Sequence, residues 1–452
     1  MSDIIAAVAT GHSACAIGIL RLSGPGCIEA AGRVFTPKFG ALAQLRDRNL
    51  TLGYLRDKDG RIIDEVLLTV SHAPNSYTGE DTAEFQCHGS PAVLAAGLEA
   101  LFALGVRQAG PGEFTKRAFL NGRMDLTQAE AVIDLIDAES ADAAANAAGQ
   151  LGGAMLRRIA PVYDRLTDVM AHFHAVLDYP DEDIDPFTLS AVETDLWQAG
   201  SKLRELLATY GRGQVLRRGL RAVILGKPNT GKSSLLNLLA GFDRVIVTDI
   251  AGTTRDSVEE TVKLGRHLLR LVDTAGIRST DDQIERMGVE RAEAAAAQAD
   301  LALYVCDGSM PLTEEDFRAQ DAAMEAPYAI AILNKQDLPQ QVLPSDLPFE
   351  WVIPFCAKTG EGLEQLESAL DCLFDDSVPC DGSILTNARQ AGAVARAVEA
   401  LERALAALKQ GLTPDAVLVD VEAALEALGE ITGQTMREEI TNRIFERFCV
   451  GK

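Results

Sequence analysis

Gly226-Lys-Pro-Asn-Thr-Gly-Lys-Ser233 follows the apolar run Leu220-Arg-Ala-Val-Ile-Leu225 and opens onto Ser234-Leu-Leu-Asn-Leu-Leu239. Strand, glycine-rich loop and helix is the context in which G-x-x-x-x-G-K-S cradles phosphates. The glycines let backbone N–H groups curl around the oxygens, and the helix N-terminus adds a favourable field. Lys232 is expected to neutralise β/γ oxygens and the Ser233 hydroxyl to ligate Mg2+. Asn229, Thr230, Gly231 and Ser234 complete the expected contacts of this loop. Outward from it, the short apolar runs 267–272, 301–306 and 328–333 read as buried parallel strands with helical stretches between them. Residues 217–378 are therefore expected to form an α/β doubly wound domain.

Three further elements follow in the order a GTPase needs. Asp273-Thr-Ala-Gly276 ends the run 267–272. Asp273 is placed to hold a magnesium shell and the Gly276 N–H to reach a γ-phosphate, with Thr274 and Ala275 between them. Asn334-Lys-Gln-Asp337 matches N-K-x-D. The Asp337 carboxylate accepts only, so it pairs with the N1–H and amine of guanine and rejects the acceptor that adenine presents there. Lys335 belongs to the same turn. Cys356-Ala-Lys358 stands where S-A-K is usual, with the Ala357 N–H offered to guanine O6. Together these motifs select GTP. The hydrolytic part departs from the Ras-like pattern, because Ile277 occupies the position of the water-orienting glutamine. An aliphatic side chain cannot orient water, which leaves Arg278, Asp281, Asp282 and Glu285 as neighbouring candidates.

The rest of the 452-residue chain is too long for one core. Residues 1–118 alternate apolar runs with Gly and Pro turns, and 91–104 reads as a helix, predicting an α+β domain. Alanine and leucine at helical spacing mark 119–212, and the same character returns over 379–452. One helical domain with the nucleotide domain inserted into it accounts for both blocks. The net charge of −24 argues against coating of nucleic acid in general. Local basic patches remain at Lys116/Arg117/Arg123, Arg157/Arg158, Arg212/Arg217/Arg218/Arg221 and Arg437/Arg443/Arg447/Lys452. Eight scattered cysteines without a C-x-x-C pair suit a reducing compartment. No run approaches the ~20 apolar residues of a membrane span, and no secretory n-region precedes an apolar run, so a cytoplasmic location is expected. His172 and His174 before the acidic run 178–185 read as a solvated loop after a helix rather than a metal site.

Several stretches together carry a family resemblance: 226–234, Thr248-Asp-Ile-Ala-Gly-Thr-Thr-Arg-Asp256, Asp273-Thr-Ala-Gly-Ile-Arg278, Pro74-Asn-Ser-Tyr-Thr-Gly-Glu-Asp81, the segment 111–125 and Phe448-Cys-Val-Gly-Lys452. From end to end the chain resembles the MnmE (TrmE) family of tRNA-modification GTPases. The flanking motifs weigh most, since Era-like GTPases share only the central ones. The resemblance implies G domains that dimerise across the nucleotide when potassium is bound. The K+ ligands would be the Asn229 side chain and carbonyls at Thr248, Ile250 and Thr253, in a loop that also carries Asp249, Ala251 and Gly252. Thr254 would be the second hydroxyl on Mg2+. Glu285 matches the family's water-positioning glutamate.

For residues 1–118 the resemblance implies dimerisation and binding of a tetrahydrofolate derivative, in the 5-formyl or 5,10-methylene form, by Arg21, Glu84, Arg123 and Lys452. Arginine at 123, where lysine is frequent, keeps the charge and changes its reach. Gly110 stands where arginine is common, and Cys449 is a candidate reactive thiol. The implied function is potassium-activated GTP hydrolysis coupled to modification of wobble uridine 34 in certain tRNAs. An aminomethyl or carboxymethylaminomethyl group would be placed on C5, in a complex of the homodimer with an FAD-containing MnmG-type partner. A ribosome-assembly GTPase without modification chemistry is the rival reading. It calls for an RNA-binding appendage such as a KH module, and no G-x-x-G loop in basic surroundings is present. A folate-dependent transferase with a vestigial G domain fits poorly with intact residues at every nucleotide position.

Overall fold

A computed structural model describes residues 3–11, 13–42, 45–178, 189–242, 260–271, 296–374, 379–434, 444–446 and 448–451. The chain divides into two compact units, one of 1–133, 150–200 and 396–452, the other of 134–149 and 201–395.

The first unit opens with strands β1 (Ile5–Val8), β2 (Cys15–Ser23), β3 (Phe35–Pro37), β4 (Thr51–Arg56), β5 (Ile62–Ser71), β6 (Thr82–Gly89) and β7 (Arg107–Gln108). They form one sheet in the order β3-β4-β5-β6-β2-β1-β7. Only the β1–β7 pair is parallel. Period-2 alternation sends Leu20, Leu22, Val66, Leu68, Val70, Ala83 and Phe85 to one face. There they meet helices α1 (Cys27–Val34) and α2 (Pro91–Phe102). The opposite face carries Arg21 and Glu84, which lie directly across from one another in the β2–β6 register. Pro91 stands in the first turn of α2, as the sequence predicts.

The chain continues through α3 (Glu113–Leu120), α4 (Leu126–Ile136), α5 (Ala141–Leu151), α6 (Ala154–Asp178), α7 (Leu189–Ala208) and α8 (Tyr210–Arg218). After the nucleotide domain it ends in α12 (Ala388–Lys409) and α13 (Pro414–Thr432). Helix α13 packs along α6, so the late helical block shares a core with the early one.

The second unit holds strands β8 (Leu220–Leu225), β9 (Glu260–Leu264), β10 (His267–Leu271), β11 (Leu301–Asp307), β12 (Tyr328–Asn334) and β13 (Trp351–Pro354). Its sheet runs β13-β12-β11-β8-β10-β9. The four runs read as parallel strands are parallel to their neighbours in this core. Helices α9 (Lys232–Phe242) and α11 (Leu363–Leu373) cover one face, against Leu220, Ala222, Ile224, Leu303 and Ile332. Helix α10 (Glu314–Ala323) covers the other, against Val223, Leu225, Ala302 and Tyr304. Helices on both faces of a mainly parallel sheet make this the expected doubly wound fold. The edge strand β9 is antiparallel to β10. The turn at Gly265-Arg266 is too short for a crossover, so the two can only be a hairpin.

Candidate nucleotide site

The phosphate loop leaves the C-terminal end of β8, the end of an α/β sheet where ligands bind. Gly226 and Gly231 adopt φ of 144° and 104°, in the range that favours glycine. A Cβ at 226 would lie 2.3 Å from the Val305 carbonyl oxygen, and one at 231 would lie 2.2 Å from Asn334 Nδ2. The cradle therefore exists only because both side chains are absent. Asn229 is also left-handed, at φ 63°, a conformation asparagine tolerates better than most residues. Thr230 is buried and donates from Oγ1 to the Lys227 carbonyl (3.1 Å).

Lys232 opens helix α9 and folds back over the loop. Its Nζ donates to the carbonyls of Gly226 and Lys227, both at 2.6 Å. Burial pushes its pKa below the ordinary lysine value. An ammonium that, among the described residues, is held only by neutral carbonyls is poised to exchange them for phosphate oxygens. Ser233 is exposed beside it. The glycine cradle, the ammonium and this hydroxyl fit a magnesium–nucleotide phosphate chain. The side chain of Lys227 points the other way, to buried Asp316 at 2.6 Å. Asp316 in turn caps α10 by accepting from the Thr313 N–H and hydroxyl.

Asn334, the last residue of β12, is 3% exposed. Its Nδ2 donates to the Thr230 carbonyl (2.8 Å), and its Oδ1 accepts from the Ala357 N–H (3.0 Å). One side chain thus ties the phosphate loop to both base-reading loops. The Ala357 N–H expected for guanine O6 is engaged by Asn334 here, so O6 must share or exchange that donor. Lys335 follows in a left-handed conformation, φ 65°, with Nζ on Asp307 at 2.5 Å. Asp337 is exposed, its carboxylate without a partner among the described residues. Cys356 is buried, and its loop is built from backbone: its N–H donates to the Glu361 carbonyl (2.9 Å), and its carbonyl accepts from Thr359 and Gly360. Cysteine in place of serine is accommodated on that basis, and Lys358 is exposed next to it.

Thr248, Asp249, Ile250, Ala251, Gly252, Thr253, Thr254, Asp273, Thr274, Ala275, Gly276 and Glu285 lie outside the described residues, as does Lys452. Among the described residues no group of three or more His, Cys, Asp or Glu is arranged to hold a metal.

A second cluster stands on the face of the first unit's sheet opposite α1 and α2. Arg21 Nε donates to Glu84 Oε1 at 2.6 Å, and its guanidinium lies 5.6 Å from the ring centroid of Tyr77 and 5.8 Å from that of Phe114. The chain end reaches the same place. Val450 bridges Pro111, the Gly112 N–H donates to the Cys449 carbonyl, and the Gly451 carbonyl accepts from Arg21 at 3.5 Å. Arg123 Nε donates to the Ser76 carbonyl (3.1 Å), next to Tyr77. Arg21, Glu84 and the tail are therefore together, with Arg123 approaching through the 76–80 loop. A half-buried carboxylate paired with a guanidinium that has aromatic rings beside it fits a planar, polar-edged ring such as a pterin. Tyr77 and Phe114 were not foreseen as members, although both lie inside motifs that carried the resemblance.

One expectation changes. Arg117 is not part of a basic surface patch: it is 9% exposed and ion-paired with Asp3 (2.8 Å), Glu80 (3.0 Å) and Glu113 (3.1 Å). Cys449 is exposed and its backbone carries the tail contact, while burial pushes the Cys27 and Cys87 thiols up to about 12. No helix among the described residues is long and apolar enough to cross a membrane.

Comparison with known proteins covers nearly the whole chain. Residues 4–123 match the family described as GTP-binding protein TrmE N-terminus. Residues 126–449 match the MnmE helical domain. The protein called tRNA modification GTPase MnmE from Heliobacterium modesticaldum is 42% identical over 469 residues, across all of both chains. Its counterpart from Symbiobacterium thermophilum is 43% identical over 458 residues, covering 100% of this chain and 99% of its own. That from Roseiflexus sp. is 41% identical over 463 residues, with the same coverage.

Proposed function

The chain belongs to the MnmE family of tRNA modification GTPases, and from that premise we propose a potassium-activated GTP hydrolase that serves modification of wobble uridine. In this reading it adds an aminomethyl or carboxymethylaminomethyl group to C5 of uridine 34 of certain tRNAs. It works as a cytoplasmic homodimer with an FAD-containing MnmG-type partner. The observation that carries the GTP half is Asn334, which joins the phosphate loop at Thr230 to the base-reading loop at Ala357.

Each residue then has a task. Lys232 exchanges the Gly226 and Lys227 carbonyls for phosphate oxygens, and Asp337 accepts from the two donors of guanine. Ser233, Thr254 and Asp273 would hold Mg2+. Asn229, Thr248, Ile250 and Thr253 would hold K+, which supplies positive charge beside the phosphates where an arginine finger otherwise reaches. Ile277 cannot orient water, so Glu285 takes that role. Arg21, Glu84, Arg123 and Lys452 would hold a tetrahydrofolate derivative, the source of the one-carbon unit. Arg21 and Glu84 already satisfy one another, so a bound pterin edge would compete with their mutual ion pair.

The test is nucleoside analysis, by mass spectrometry, of tRNA from cells lacking this gene and complemented with variants. Wild type is expected to restore the C5 modification, while Asp337→Asn, Glu285→Ala and Glu84→Ala restore little of it. Identical tRNA nucleosides with and without the gene would refute the assignment.

A further inference from the structure

Asp307 belongs to none of the nucleotide motifs, yet it ends β11 in register with Asn334, which ends β12. It is 7% exposed. One carboxylate oxygen, Oδ1, accepts from the Ser309 N–H (3.0 Å) and hydroxyl (2.7 Å). That fixes the carboxylate and leaves Oδ2 for Lys335 Nζ at 2.5 Å. Burial works against the charge of Asp307, but the Lys335 and Ser309 hydrogen bonds outweigh it and hold its pKa below the usual value.

Lys335 occupies a left-handed conformation that a long side chain adopts only when its surroundings over-determine it. Two contacts besides Asp307 do so: the Lys335 carbonyl accepts from Gln340 Nε2 (2.9 Å) and from the Leu338 N–H (3.0 Å). Two residues along the same turn stands Asp337, exposed. A lysine released from Asp307 has that carboxylate as a neighbouring anion, and an ion pair between them would occupy the acceptor that reads the base.

We infer that Asp307 is a positioning residue for base selection: by holding Lys335 Nζ it keeps the Asp337 carboxylate unpaired for the N1–H and amine donors of guanine. The inference rests on the GTP reading above. It also separates two roles within one motif, since the lysine of the turn is restrained so that the aspartate can act.

The experiment compares affinities of the full-length protein for GDP and IDP, which lacks the exocyclic amine. Wild type is expected to prefer GDP. In Asp307→Asn the GDP/IDP affinity ratio should fall about tenfold, and in Asp307→Asn/Lys335→Gln it should recover, because the competing ammonium is gone. The ratio is insensitive to a general loss of folded protein, which weakens both nucleotides equally. An equal loss of both affinities in Asp307→Asn, or a ratio that the second substitution fails to restore, overturns the inference and leaves the GTP assignment intact. A wild-type chain with no preference for GDP overturns the guanine reading and this inference with it.

Discussion

Asn334 spends its whole amide on backbone, one end on Thr230 and the other on Ala357, and is buried between them. Replacing it with alanine would leave a carbonyl and an N–H without partners in a buried place, at about 1–3 kcal/mol each. Asn334→Ala is therefore expected to lower nucleotide-free thermal stability clearly, and, by loosening both loops, to weaken GDP binding by about ten- to a hundredfold, measured by titration. The motif N-K-x-D marks Asp337 as the expected base reader from sequence alone, because that chemistry is complete within one residue. The role of Asn334 was not legible, since its partner Thr230 is separated by 104 residues and only the fold joins them. Glu84 shows the same limit. As sequence it is a charge on a strand, and the cross-strand register with Arg21 makes it half of a pair.

Helix α3 illustrates what an element contributes. Its Glu113 and Arg117, one turn apart, join Arg107 on β7 and Asp3 before β1 in a network of ion pairs. Hydrogen bonding to Arg107 draws the pKa of Asp3 far below its usual value. For Glu113 burial acts the other way, but Arg107, the Gly110 N–H and Arg117 outweigh it and its pKa is also lowered. Carboxylates with depressed pKa stabilise the fold fully above their unfolded values, about 4. That contribution is lost as pH falls through the folded values. Thermal melts from pH 7 to pH 3 should show a steep acid loss in wild type. Glu113→Gln should start lower at pH 7 and lose less on acidification; parallel curves would mean that Glu113 contributes nothing to the network. Elements with clean patterns, α2 and the four parallel strands, were legible from the sequence. Strands β3, β7 and β13 span four residues or fewer and exist through pairing, which no local pattern announces.

At the scale of the whole molecule, the insertion was legible as a change of composition between two similar helical blocks, and α6 packs with α13 across that interval. The path back from the nucleotide domain was not. The buried Asn146 side chain accepts from the Gly382 N–H and donates to the Ile384 carbonyl, and Thr209 accepts from the Leu385 N–H. Asn146 of α5 and Thr209, which stands between α7 and α8, thus hold the returning segment inside the second unit. A site with an intact phosphate loop and guanine turn, but isoleucine where the orienting glutamine would stand, depends on something outside those motifs for hydrolysis. The measurement that tests this most directly is the GTP hydrolysis rate of the full-length protein in potassium and in sodium at equal ionic strength. The account predicts a rate at least about tenfold higher in potassium, abolished in Glu285→Ala. Equal rates in the two salts would contradict it.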